Sequence, residues 1–168
     1  MKHRLMLLAG AGILVGAFFW PGAGQAATPG TEVCLIKGSA TITPGLTATP
    51  KSGSVSISGN LSLCHGSALA VKSGTVTGTA SGTGSCAASA DTLNATITWS
   101  NGSTSTVSGH LASVGPVANF AGTVTSGLFK GSPVGTSAEF APVGGPTKAT
   151  ACNSKTGITN VTFEGVTW

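Results

Sequence analysis

Charged and phenolic side chains are scarce in this chain. Only 7% of its 168 residues are charged, tyrosine is absent, and Arg4 is the single arginine. The region after residue 26 has six lysines against four acids, so its formal net charge is about +2. Recognition of nucleic acid usually requires a clustered basic surface with arginine side chains that reach phosphates and bases. We therefore expect no nucleic-acid partner.

Residues that could carry catalysis or bind a metal are equally few. Residues 27–168 contain two histidines and four acids, and they lack the G-x-S-x-G, H-E-x-x-H and C-x-x-C patterns. Asp91 with His110 and a serine could form a hydrolytic triad, and Glu139 with Glu164 could form a glycosidase pair. Ordinary positions on strands explain these residues more simply. We therefore expect a protein that is not an enzyme and that uses no cofactor and no metal.

A secretory signal peptide is predicted for residues 1–26. A basic start at positions 2–4 precedes an uncharged apolar run from Leu5 to Trp20, and Pro21 then leads into Gly24–Ala26. This order is typical of a cleaved signal peptide, and the alternative is an uncleaved anchor, for which the run is slightly short. We therefore expect one secreted, extracellular domain over residues 27–168, without stable membrane insertion after cleavage.

All four cysteines lie in the region expected after cleavage: Cys34, Cys64, Cys86 and Cys152. An even number of cysteines in a small exported domain indicates a disulfide framework, here of two bonds. Four cysteines allow three connectivities. Our preferred pairing joins Cys64 to Cys86 and Cys34 to Cys152, because the first and last strands of a domain often lie together.

Apolar and small polar residues alternate along the chain, and no apolar period of 3.6 residues is long enough for a helix. Eight β-branched segments bounded by Gly, Pro, Asn and Ser are predicted as strands: Cys34–Thr43, Gly53–Cys64, Lys72–Ser81, Leu93–Ser100, Ser103–Leu111, Val117–Ser126, Val134–Phe140 and Ile158–Trp168. This spacing favours a β-sandwich or a small barrel. We expect an antiparallel β-sandwich of about eight or nine strands, Ig-like or Greek-key, with two disulfides.

The clearest turn signal is Asn101-Gly102, because Asn-Gly between two strands is typical of a β-hairpin. A two-residue loop would turn Val107 toward the polar face. A three-residue loop, Ser100–Gly102 with Gly102 in the left-handed conformation, pairs Ala95 with Val107 and keeps the apolar residues of both strands on one face. Since a slip of one residue inverts the face, we predict the three-residue loop.

Three features are candidates for contact with a partner. Leu128 and Phe129 are adjacent in a loop between strands, so an extended loop would expose at least one of them as an apolar anchor. The alternative is that both close the open end of the sandwich. Trp168 ends the chain on an aromatic residue and is the second candidate. The third is the sheet edge itself, since strands with few charges invite self-association or strand addition.

The region after the predicted signal peptide resembles small secreted actinobacterial proteins with four cysteines and a β-rich character. The resemblance is carried by five segments: Gly38–Leu46, Ser58–Cys64, Gly82–Cys86, Ala95–Val107 and Gly122–Gly131. Most proteins of this kind lack an assigned activity, and small exported β-proteins of this general type include adaptor subunits of secreted toxin particles. The resemblance implies an exported β-rich fold and is compatible with an adaptor role.

Function is therefore expected to be binding. The leading expectation is a non-catalytic secreted subunit that binds another secreted or surface protein, as an adaptor or as part of an assembly. The main alternative is a carbohydrate- or cell-envelope-binding module that stacks sugars on Trp99 or Trp168. A further alternative is a small secreted hydrolase or a hydrolase inhibitor, for which Asp91 and His110 are the candidate residues.

Overall fold

The computed structural model describes residues 32–66, 71–143 and 148–168. Its elements, in chain order, are β1 (Glu32–Leu46), β2 (Lys51–Gly66), β3 (Gly74–Gly84), β4 (Ala88–Trp99), β5 (Thr104–Val114), β6 (Val117–Gly127), β7 (Pro133–Pro142), α1 (Lys148–Cys152) and β8 (Ile158–Thr167). Each predicted strand overlaps one of these strands. The predicted signal peptide, residues 1–26, lies outside the described residues. None of the helices described here is long and apolar enough to cross a membrane.

The eight strands form a closed antiparallel barrel, so the predicted β-sandwich is wrong. Each strand pairs with the next one in sequence, and β8 returns to pair with β1 through pairs such as Ala40 with Val161. A sandwich would leave the outer strands of two sheets unpaired on one side. Here β1 and β8 are paired on both sides, which removes the open edges on which the expected self-association rested.

Alternation along each strand places apolar residues inside the barrel and hydroxyl residues outside. On β2, Leu61 is buried inside, while Ser54, Ser56 and Ser58 are exposed. The outer wall continues in threonines on β3, where Thr77 and Thr79 lie directly across from Ser58 and Ser56. This arrangement follows from the two-residue side-chain period of a strand whose two sides meet core and solvent.

Phenylalanine rings fill part of the interior, and glycine makes room for two of them. A Cβ on Gly38 would lie 2.6 Å from the ring of Phe163, and one on Gly122 would lie 2.5 Å from the ring of Phe120. Both distances are shorter than any normal carbon contact. These two glycines therefore make room for large rings, that of Phe163 from the neighbouring strand β8 and that of Phe120 from the same strand, β6.

Two disulfides close the structure, with a connectivity different from the preferred one. Cys34 is bonded to Cys64, and Cys86 is bonded to Cys152. The first bond links the neighbouring strands β1 and β2 close to a register shift between Val33 and Leu35. The second bond links the β3–β4 turn to α1. The preferred pairing is wrong because Cys152, in α1, lies beside the β1–β2 connection, where its carbonyl accepts a hydrogen bond from the amide of Ala48, whereas Cys34 lies at the other end of β1.

The predicted three-residue hairpin loop between β4 and β5 is confirmed. Ala95 pairs with Val107, and Gly102 has a φ of 82°. The amide of Trp99 donates to the carbonyl of Ser103 at 2.8 Å, which closes the loop at the expected position. This register directs Trp99 into the barrel, where it is buried.

Candidate functional site

The barrel interior contains two adjoining cavities, each of about 90 Å³. They share Leu111, Ala118 and Phe140 as walls. The outer cavity reaches the β1–β2, β3–β4 and β5–β6 connections, where its lining includes Gly45 and Pro116. We call this end of the barrel the mouth, and the opposite end, at the β2–β3, β4–β5 and β6–β7 connections, the plug end.

The inner cavity is almost entirely apolar. Its walls are the inward residues of all eight strands: Ile36, Ile57, Leu61, Val76, Leu93, Ala95, Ile97, Val107, Leu111, Ala118, Phe120, Val134, Thr136, Ala138, Phe140, Phe163 and Thr167. The space exists because many inward positions carry only alanine or glycine, which cannot reach the barrel axis. Eight-stranded barrels are just wide enough for side chains to fill or for one small ligand to enter.

Polar side chains gather where the outer cavity approaches the mouth. The hydroxyls of Ser89 and Ser113 are 2.9 Å apart, and both residues line the outer cavity together with Asp91 and Lys51. The carboxylate of Asp91 lies over Gly82, where a Cβ would be 2.7 Å from Oδ1. Burial raises the pKa of Asp91, and a hydrogen bond with Ser89 opposes that rise. The mouth therefore combines one partly desolvated acid with hydroxyl groups.

The plug end is closed by aromatic packing. Trp99 and Phe129 meet edge to face, with ring centroids 5.5 Å apart. Ser105 joins them, because its hydroxyl accepts a hydrogen bond from Trp99 Nε1 at 2.8 Å and donates one to the carbonyl of Leu128 at 2.5 Å. The barrel therefore has one end packed with aromatic side chains and one polar mouth.

This packing determines where two of the predicted contact residues lie. Phe129 is 4% exposed, so it is part of the plug, and Leu128 is half-buried beside it. Trp99, considered above as a platform for sugar stacking, is buried in the same plug. The loop that carries Leu128 and Phe129 therefore closes one end of the barrel, which was the alternative to a contact with a partner. Leu128 keeps part of its surface exposed.

The third predicted contact residue, Trp168, is 51% exposed on the outer wall. It belongs to a group of exposed apolar side chains that we call the β1–β8 patch: Val33, Leu35, Leu63, Val166 and Trp168. Leu35 pairs directly with Val166, and Val33 and Trp168 are the next outward positions on the same two strands. Leu63 lies opposite this part of β1 and is 64% exposed.

Sequence reasoning missed most of this patch, although a signal was present. Residues Val33–Ile36 form an unbroken apolar run, in which Cys34 and Ile36 point inward. In a strand with one solvated face, the two outward residues of this run, Val33 and Leu35, should be polar. An apolar run without alternation at the start of β1 therefore indicated a second apolar face.

The candidate catalytic pairs do not form an active site. Asp91 points into the barrel, whereas His110 pairs with Thr92 and is exposed on the outer wall. Glu139 and Glu164 lie opposite each other across β7 and β8 on the outer surface, not in a cleft. Glu164 forms an ion pair with Lys37 at 3.0 Å.

The part of the chain that the structure describes contains no group of three or more histidine, cysteine or acidic side chains placed to hold a metal ion.

Comparison with known protein families, with curated proteins and with solved structures finds no match.

Proposed function

We propose that this protein is a non-catalytic binding protein that holds one small apolar molecule inside its barrel. The observation that carries the proposal is the pair of adjoining cavities, which share walls and lie behind a polar mouth. A largely apolar pocket with a few convergent polar groups is the usual form of a small-molecule site. The two disulfides are consistent with an extracellular protein, and they support a secreted carrier or receptor role.

Cavity size limits the ligand to about one ring or one short alkyl chain. An engineered apolar cavity of about 150 Å³ stays dry and binds benzene. The two cavities here are about 90 Å³ each and are separated by the side chains of Leu111 and Phe140. A ligand that displaced these side chains slightly would occupy both cavities and bury its apolar surface away from water.

Titration with benzene tests the proposal. We expect chemical-shift changes in the methyl groups of Leu111 and Val107, and none at Val114, which lies on the same strand but is 76% exposed. Ala118→Leu should block binding by filling the shared wall. Ala121→Leu, on the outer face of the same strand, is the matched control and should leave binding unchanged. Shifts confined to exposed methyl groups would contradict the proposal.

A second candidate function, binding of another secreted protein as an adaptor, is favoured by the β1–β8 patch. Its five exposed apolar side chains lie next to one another on the outer wall, which otherwise carries mainly hydroxyl groups. Contiguous exposed apolar surface is typical of protein contact sites. Tagged protein should retain a stoichiometric partner from its own culture medium, lose it with Leu35→Asp, and keep it with Val114→Asp at the mouth end. Absence of a partner would remove this candidate.

A further inference from the structure

The inward face of β4 changes from polar to apolar between the mouth and the interior of the barrel. Ser89 lies nearest the mouth and pairs with Ser113, Asp91 follows and pairs with Leu111, and Leu93 lies deeper and is buried. On the other side, Asp91 pairs with Gly82, whose missing side chain makes room for the carboxylate. Asp91 therefore stands at the boundary between the hydroxyl groups of the mouth and the apolar interior.

None of the cationic side chains that the structure describes forms an ion pair with this carboxylate. Lys51 lines the same cavity, but its backbone pairs with Gly84, one layer nearer the mouth than Asp91. His110 and Glu139 point outward, away from the cavity. Among the lysine and histidine side chains that the structure describes, none lies within ion-pair distance of Asp91. A partly buried carboxylate without a counter-ion carries a desolvation cost, which the hydrogen bond with Ser89 offsets only in part.

We propose that Asp91 selects ligands that carry a protonated amine, so that the barrel binds a small apolar ammonium compound. This inference rests on the proposed function and specifies the class of its ligand. The ammonium group would lie at Asp91, with Ser89 and Ser113 as additional hydrogen-bond acceptors. The apolar part would extend inward toward Leu111 and Phe140. Hydrogen bonds to ionised groups are stronger than those between neutral groups, and a carboxylate repels an anionic ligand.

Three ligands of the same shape test this selection: 2-phenylethylamine, 2-phenylethanol and phenylacetate, measured by calorimetry at neutral pH. We expect the amine to bind about tenfold more tightly than the alcohol, and phenylacetate to bind most weakly. Asp91→Asn should remove the advantage of the amine, so that the amine and the alcohol bind with similar affinities. Glu139→Gln, which removes an exposed carboxylate from the outer wall at the same end, should change none of the three affinities.

The outcomes separate this inference from the proposed function. Equal affinities for amine and alcohol, tighter binding of phenylacetate, or an amine preference that survives Asp91→Asn would each overturn the role of Asp91. In those cases benzene binding would still support an apolar site. If neither benzene nor any of the three ligands binds, the proposed function and the selection by Asp91 both fail.

Discussion

Ser105 is a fully buried polar side chain whose two hydrogen bonds hold the plug together. It links Trp99 Nε1 to the carbonyl of Leu128, so Ser105→Ala would leave a buried donor and a partly buried acceptor unpaired. We expect the free energy of unfolding to fall by about 2 kcal/mol, measured by urea denaturation. Ser108→Ala, at an outward position on the same strand, should change stability by less than about 0.5 kcal/mol. Equal effects of the two substitutions would contradict this role.

Asp91 should make the free energy of unfolding fall as pH rises, which is the opposite of the usual effect of a carboxylate. Because burial raises the pKa of Asp91 above its usual 3.8, the folded protein binds more protons than the unfolded chain between the two values. Stability attributable to this group therefore falls as pH rises through that window, and the cost is fully present above the folded pKa.

Asp91→Asn removes this cost without changing the size of the side chain. The variant should melt at a higher temperature than the wild type at about pH 7, and the difference should disappear at about pH 3, below the usual pKa of an aspartate. Thermal unfolding followed by circular dichroism at the two pH values measures both differences. A variant that is less stable at neutral pH would show that the ionised carboxylate stabilises the fold.

At the level of single elements, the sequence predicted most of the features that depend on residues close together in the chain. The alternation on β2 and the Asn101-Gly102 turn are local signals, and each placed its residues on the correct face. The plug and the patch depend on contacts between distant segments. Phe129 is buried because Trp99, from another hairpin, lies beside it, and no local pattern contains that information.

The two disulfides stabilise elements of different kinds. Cys34–Cys64 spans 30 residues and joins strands that already pair, whereas Cys86–Cys152 spans 66 residues and fixes α1 to the β3–β4 turn. Since closing a longer loop costs the unfolded chain more entropy, removal of the second bond should cost more, about 4 kcal/mol.

Denaturation of two double-alanine variants, one for each disulfide, measures this difference. The Cys86/Cys152 variant should unfold at the lower urea concentration, and the amides of Ala48 and Cys86 should exchange faster because their hydrogen bonds join the connections at the mouth. A larger loss of stability in the Cys34/Cys64 variant would show that the length of the closed loop is not the main factor.

For the molecule as a whole, closure of the sheet could not be predicted from the strand pattern. A sandwich and a barrel both require strands with one apolar and one polar face, and both can be built from consecutive antiparallel strands. What distinguishes them here is the pairing of β1 with β8, which are separated by most of the chain. The barrel interior, and with it the candidate ligand site, follows only from that pairing.

Hydrogen exchange tests closure directly. In an open sheet, every second amide of an edge strand faces away from its only neighbour and exchanges rapidly, whereas in a closed barrel these amides are bonded on both sides. We therefore expect the amides of β1 and β8 to be protected as strongly as those of β4, which has neighbours on both sides in either architecture. Strong protection of every second amide only, confined to β1 and β8, would indicate an open sheet. It would also remove the enclosed cavity, because solvent would enter the interior between these two strands.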